Sequence, residues 1–335
     1  MPKIARRPLL AMAPAILATP VLAQPAIAQP ATLHPAWPSR PVRLIVPFPP
    51  GQAADLFGRL VADELSKRWP QRVVVENRSG GAGALGMEAG ARSAPDGYTL
   101  VVGTSGTLGV NPSVMAQLPY DAERDFVAIT NIFTLPLVLV AHPATGPADF
   151  AAFVARAKEN PGAQNYASAG PGTAQHMAME MLAHRAGLKL THVPYRGSGP
   201  AMADLIAGNV PLMMDSLASA LPQVQSGRAR ALAVTSKARP PQLAATPTIA
   251  ESGLPGYEAL GWSGLVAPAG TPPEIVAKIN ADAVAILRDP AVAARMLELG
   301  GFPDPGTPAE FGAFIRAEIA KWRQVAREAG IRLDS

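Results

Sequence analysis

Three segments of this chain place glycines and hydroxyls where an apolar run gives way to a helical pattern. Pro47-Phe48-Pro49-Pro50-Gly51-Gln52-Ala53-Ala54-Asp55 is the first, Gly103-Thr104-Ser105-Gly106-Thr107 the second and Ser168-Ala169-Gly170-Pro171-Gly172-Thr173 the third. The first turn of a helix has N–H groups without intrahelical partners and carries partial positive charge. Glycine lets that backbone approach a ligand closely, and Ser or Thr hydroxyls add donors. One such loop alone is turn chemistry with an N-cap. Three in one chain predict a cleft for a small anion.

Other constellations invite catalytic readings. Ser168, His176 and Asp215 supply the residue types of a hydrolase triad, but neither 166–170 nor 103–107 completes the GxSxG elbow that an α/β-hydrolase uses to present its serine. Gly81-Ala82-Gly83-Ala84-Leu85-Gly86 is a literal GxGxxG. It starts five residues beyond the strand-like run at 72–76 instead of at its end, and Asp96 precedes the following strand, so ribose lacks its acid and a structural glycine loop is the better reading. His176 and Glu180 share a helix face at i,i+4, short of the three protein ligands a catalytic zinc takes. The chain has no Cys, which removes disulfides, thiol nucleophiles and Cys-ligated metals. No cofactor and no metal is expected.

The elements that position these loops alternate in type. Short β-branched runs at 42–46, 72–76, 98–102, 136–140, 165–167, 191–193, 210–214 and 229–235 read as buried strands. Helical spacing fills 148–159, 173–186 and 199–207, and Leu56, Phe57, Leu60, Val61 and Leu65 mark a helix directly after Gly51. Amphipathic helices follow at 272–288 and 308–329, the latter with Phe311, Phe314, Ile315, Ile319, Trp322 and Val325 on one stripe. Alternation of this kind predicts α/β architecture, with mainly parallel sheets flanked by helices.

The first 28 residues read as an export signal: Lys3, Arg6 and Arg7, an apolar stretch broken by Pro14 and Pro20, and small residues that allow cleavage after Ala23 or Ala28. Arg6-Arg7 fits either a twin-arginine signal or an ordinary Sec signal. The full chain of 335 residues has 29 Lys+Arg against 25 Asp+Glu; losing those three cations leaves 26 against 25. A chain so near neutrality is not expected to have nucleic acid as its partner.

From Trp37 to Ile331 the sequence resembles the Bug-type extracytoplasmic solute receptors, the binding proteins of tripartite tricarboxylate transporters. The resemblance lies in PVRLIVPFPPG at 41–51, VVVENRSGGAG at 73–83, APDGYTLVVGTSGT at 94–107 and NPSVMAQLPYDAERDF at 111–126. It continues in NYASAGPGTAQH at 165–176, HVPYRGSGPAMADLIAG at 192–208, RALAVTSKARPPQLAATPTIAESGLPGYE at 230–258 and LVAPAGTPPEIVAKIN at 265–280. It implies a non-catalytic periplasmic receptor with a two-lobed Venus-flytrap fold of the type II kind, closing over a small organic carboxylate: a di- or tricarboxylate, an amino acid or an aromatic acid. The lobes would be 38–138 plus 255–335, and 139–254. The implied contacts are Phe48, Gly51, Gln52, Ala53, Asp55, Thr104 and Ser105 from the first lobe. Ser168, Ala169, Gly170, Gly172, Thr173, His176 and Asp215 would come from the second, with Arg196 at the cleft edge or on the surface. Implied partners are integral membrane transporter subunits, with the receptor itself a monomer; an orphan sensor and a Ser-His-Asp hydrolase are the alternatives. The chain departs from the family at Gln52, where a second glycine is common.

Overall fold

The computed structural model describes residues 37–332, so the export signal and its cleavage sites lie outside the described residues. The chain opens with β1 (Val42–Val46), whose apolar run is buried, and α1 (Ala53–Arg68), whose Phe57, Val61 and Leu65 face the core. Then come β2 (Val73–Asn77), α2 (Ala84–Ala91) and β3 (Thr99–Thr104). A widened helical turn, Ser105–Val110, leads into α3 (Asn111–Val114). The long strand β4 (Phe126–Ala141) is followed by α4 (Phe150–Glu159), β5 (Asn165–Ser168), α5 (Ala174–Ala186), β6 (Thr191–Pro194) and α6 (Ser198–Ala207). β7 (Leu212–Ser216), α7 (Leu217–Gln225) and β8 (Arg230–Val234) complete that half. The last stretch holds β9 (Leu260–Pro268), α8 (Pro273–Leu287), α9 (Pro290–Glu298), β10 (Phe302–Pro303) and α10 (Pro308–Ala329).

The strands form one curled sheet in the order β2-β1-β3-β9-β4-β7-β5-β6, with β8 and β10 also paired to β4. β1 pairs in parallel with β2 and β3, and β5 with β6 and β7; every pairing made by β4 or β9 is antiparallel. The sheet is therefore mixed rather than mainly parallel. Its parallel pairs belong to strand–helix–strand units, whereas β4 and β9 run through the middle as connectors.

β4 serves both halves of the sheet. Residues 126–136 pair with β9 across two register shifts, and from Leu137 onward the same strand pairs with β7 and β8. Thr235 stands at the changeover. Its N–H donates to Leu137 O at 3.0 Å, its Oγ1 accepts from Leu137 N at 2.8 Å, and its carbonyl accepts from Ala259 N at 3.1 Å. The outgoing strand and the returning chain are thus tied at one fully buried threonine. Core packing spans the changeover: Phe57 and Phe133, with ring centroids 4.2 Å apart, belong to the same apolar cluster as Phe153, Tyr166 and Met177.

Candidate anion site

Four helix N-termini converge where the sheet changes partners. Phe48, Gln52, Ala53 and Ala54 come from the β1–α1 junction, and Thr104, Ser105 and Gly106 from the turn after β3. Thr173, Ala174 and Gln175 come from the start of α5 and Ser198 from the start of α6, while Phe133, Leu135, Leu137, Gly261, Trp262 and Ser263 of β4 and β9 close the floor. They enclose a cavity of about 60 Å³. Among the described residues no Lys, Arg, Asp or Glu lines it.

The loops meet across the cavity. A Cβ on Gly106 would stand 3.3 Å from Gly172 O, and one on Gly197 would stand 2.7 Å from Gln52 Nε2, so glycine at 197 makes room for the Gln52 side chain. Gly197 is also in the positive-φ region, at 126°, which disfavours any side chain. Gln52 is the N-cap of α1 but makes no side-chain cap; its carbonyl accepts from Asp55 N and Leu56 N. Its Nε2 is buried and has no protein partner. α6 likewise lacks a side-chain cap, whereas Thr104 and Thr173 cap the two helical segments between them by accepting from Thr107 N and His176 N.

Behind the wall, two aspartates have opposite surroundings. Asp55 accepts from Gly51 N at 3.0 Å, Arg59 Nε at 2.9 Å and Asn77 Nδ2 at 2.8 Å. Burial works against its ionisation, yet these donors together hold the carboxyl below its ordinary value. Asp55 therefore fixes the shape of the first loop and does not reach the cavity. Asp215, fully buried at the end of β7, accepts from Ser198 Oγ at 2.6 Å and Ser216 N at 2.8 Å. No cation pairs with it among the described residues, and burial pushes its carboxyl up to about 6 despite the pull of those donors and of the Gln175 amide. Its Oδ2 has no partner at hydrogen-bonding distance.

The residues of a hydrolase triad are not assembled. Ser168 Oγ lies 2.7 Å from His192 Nε2, not on His176, and Asp215 serves Ser198 and Ser216. His176 accepts from Gly172 N through Nδ1 at 3.3 Å and stacks on His192, centroids 4.2 Å apart; His192 in turn stacks on Tyr166. Burial, with the adjacent His192, drives His176 down to about 3, and burial drives His192 to about 4, so both rings are neutral props beneath the 168–173 loop. Among the described residues no group of three His, Cys, Asp or Glu is placed to hold a metal.

The cavity between the two halves of the sheet thus combines hydroxyls, amides and free helix N–H groups on its walls with an apolar floor of Phe133, Leu135, Leu137 and Trp262. Residues 57–331 match the family described as the tripartite tricarboxylate transporter family receptor, TctC. The chain belongs to the TctC receptor family. BugT of Bordetella pertussis is 36% identical over 298 residues, spanning 89% of this chain and 91% of BugT. Among solved structures, Rpa4515 of R. palustris with adipate is 36% identical with a TM-score of 0.86, covering 89% of this chain and 100% of that one. MatC (Rpa3494) of Rhodopseudomonas palustris with bound malate is 32% identical with a TM-score of 0.82, over 86% and 99%.

In this TctC-family chain, Phe48, Gln52, Ala53, Thr104, Ser105 and Thr173 of the residues singled out by sequence line the cavity. Gly51, Asp55, Ser168, Ala169, Gly170, Gly172, His176 and Asp215 are not among its lining residues. Sequence reasoning missed Ser198 and Gln175, although Gly197-Ser198 follows β6 in the same strand-to-helix arrangement as the other loops and Gln175 lies two residues after Thr173. It also missed Gly261, Trp262 and Ser263, for which β9 gave no signal because its glycines and serine break the apolar run.

Proposed function

We propose that this protein is a periplasmic, non-catalytic receptor that captures a small organic carboxylate between two lobes and presents it to integral membrane transporter subunits. The lobes are 38–138 with 255–335, and 139–254, joined by β4 and by the chain returning through Thr235. One observation carries the reading: the cavity between these halves sets helix N-termini and hydroxyls over an apolar floor, without a single charged side chain among the described residues. Free N–H groups of α1 and α6, with ordered water, replace the solvent shell of a carboxylate without a buried counter-charge. The adipate of one solved neighbour and the malate of the other support a small carboxylate as this chain's ligand. Phe48, Gln52, Ala53, Thr104, Ser105 and Thr173 are the first-line contacts in this reading. Gly51, Asp55, Ser168, Ala169, Gly170, Gly172, His176 and Asp215 hold the loops in shape. Closure is favoured only by the ligand's differential affinity for the closed arrangement.

Native mass spectrometry of the mature protein, followed by calorimetric titration with adipate, malate and other small acids, tests this reading. A retained or titrated carboxylate at one per chain supports it; no binding by any acid, or chemical conversion of the bound acid, overturns it. Gln52→Gly is expected to reorder affinities across the panel while leaving the melting temperature within a few degrees. Unchanged ratios would show that the unpartnered amide takes no part in recognition.

A further inference from the structure

The site is not symmetric in its hydrogen bonding. At the Gln52 side, a buried amide nitrogen offers donors without a protein acceptor. At the α6 side, Ser198 lines the cavity, and its one hydroxyl proton points away from it. A serine hydroxyl has a single donor and two lone pairs; Asp215 Oδ1, at 2.6 Å and ionised at neutral pH, takes the donor. Only lone pairs remain for the cavity. The carboxylate behind them is fully buried, has Ser216 N and Ser198 as its hydrogen-bonding neighbours, and pairs with no cation among the described residues. Gln175, the other polar side chain of that wall, also acts on Asp215. Negative charge is thus transmitted to an acceptor on the cavity surface, in a site otherwise furnished to hold an anion.

We propose that Ser198, positioned by Asp215, is the specificity residue of this receptor, and that it selects a carboxylate carrying a hydrogen-bond donor, a hydroxyl or ammonium group, over the same acid without one. This inference rests on the receptor reading and adds the identity of the ligand's second group. A plain methylene at that point leaves Ser198 Oγ and the charge behind it without a donor, and sites built to hydrogen-bond a ligand group discriminate strongly against analogues lacking it. Asp215 touches no ligand; it is a positioning residue that decides where the serine proton goes. Val138 of β4 lies opposite it in the sheet, and Ser198 of α6, Gln175 of α5 and Ser216 at the start of α7 are its polar neighbours; none of these is charged or titratable.

The test is calorimetric titration with succinate, malate and aspartate, and with adipate and 2-hydroxyadipate, at pH 7.5 and pH 5. Wild type is expected to favour the donor-bearing member of at least one pair by tenfold or more at pH 7.5, with a smaller ratio at pH 5, where Asp215 gains a proton. Ser198→Ala should bring the ratio to within threefold of unity. Asp215→Asn should lower the ratio and make it independent of pH; it carries the test if Ser198→Ala does not fold. Equal affinities within every pair, or a preference that survives both substitutions, overturns the inference and leaves the receptor reading intact. Failure of every acid to bind overturns the receptor reading itself.

Discussion

Asp55 in the first turn of α1 and Asp215 at the end of β7 are both buried beside a helix start and both behind the same cavity, yet their chemistry diverges. Asp55 is fed by a guanidinium, an amide and a backbone N–H, and its carboxyl is held low. Asp215 has a hydroxyl, one backbone N–H and the Gln175 amide but no cation, and burial pushes its carboxyl up to about 6. Burial is common to both; the cation is not. A carboxylate with a full set of donors is a structural brace. One left short of donors stores unsatisfied negative charge that a ligand can use.

The sharpest way to break this contrast is to remove the brace. Asp55→Ala leaves Arg59, Asn77 and Gly51 N without their acceptor and should cost on the order of 3 kcal/mol of unfolding free energy by urea denaturation, with loss of ligand binding as the first loop relaxes. Asp215→Asn should behave oppositely. Its folded value lies above the unfolded 3.8, so the folded state holds the proton more tightly and wild-type stability declines between pH 4 and pH 6, then stays level. The asparagine variant escapes that decline and should match or exceed wild type at pH 7.5 by up to about 2 kcal/mol. A variant less stable at every pH would show that Asp215 is braced after all.

The imidazoles beneath the second-half loop titrate with the other sign. His176 is held near 3 in the fold against an unfolded 6.5, so the unfolded chain takes up the proton first and stability falls as pH drops below about 6.5. At pH 5.5 that loss is about 1.4 kcal/mol for His176. His176→Gln should flatten the acid limb of a melting-temperature profile. Glu318 supplies the smallest effect and a control away from the polar wall. It accepts from the indole nitrogens of Trp262 at 2.9 Å and Trp322 at 3.1 Å and pairs with Lys321. Glu318→Gln keeps an acceptor and should cost about 1 kcal/mol, with a shift in tryptophan emission but unchanged ratios among ligands.

Much of the frame was legible because pattern and environment agree. The helices at 148–159, 173–186, 199–207, 272–288 and 308–329 appear within two residues of their sequence bounds, all but the second, which is buried on most sides, with a regular apolar face. α7 and α9 were missed: Pro222 interrupts one and Pro290 opens the other after a run that resembles a loop. β4 was half seen, since 126–135 mixes Thr and Asn into a strand whose polar side chains find partners elsewhere in the fold, Thr130 with Gly306 and Asn131 with Asp304. The loops of the site were readable from glycine and hydroxyl spacing. Which polar atoms face the cavity was not. Asp55 and Asp215 are the same residue in similar settings, and only the placement of Arg59 and Ser198 separates a brace from a charge reserve.

The sharing of β4 between both halves also constrains how this sequence can change. A one-residue slip in a strand exchanges its two faces, and here one strand carries the registers of β9, β7 and β8 at once. An insertion ahead of Phe133 meets two existing register shifts that can take it up. An insertion between Phe133 and Leu137 has no such outlet, and it would separate Thr235 from its partner while turning Leu135 and Leu137 away from the cavity floor. Length variation among descendants of this chain should therefore collect at helix ends and outer loops, leaving the central strand with a fixed residue count even where its residue types drift.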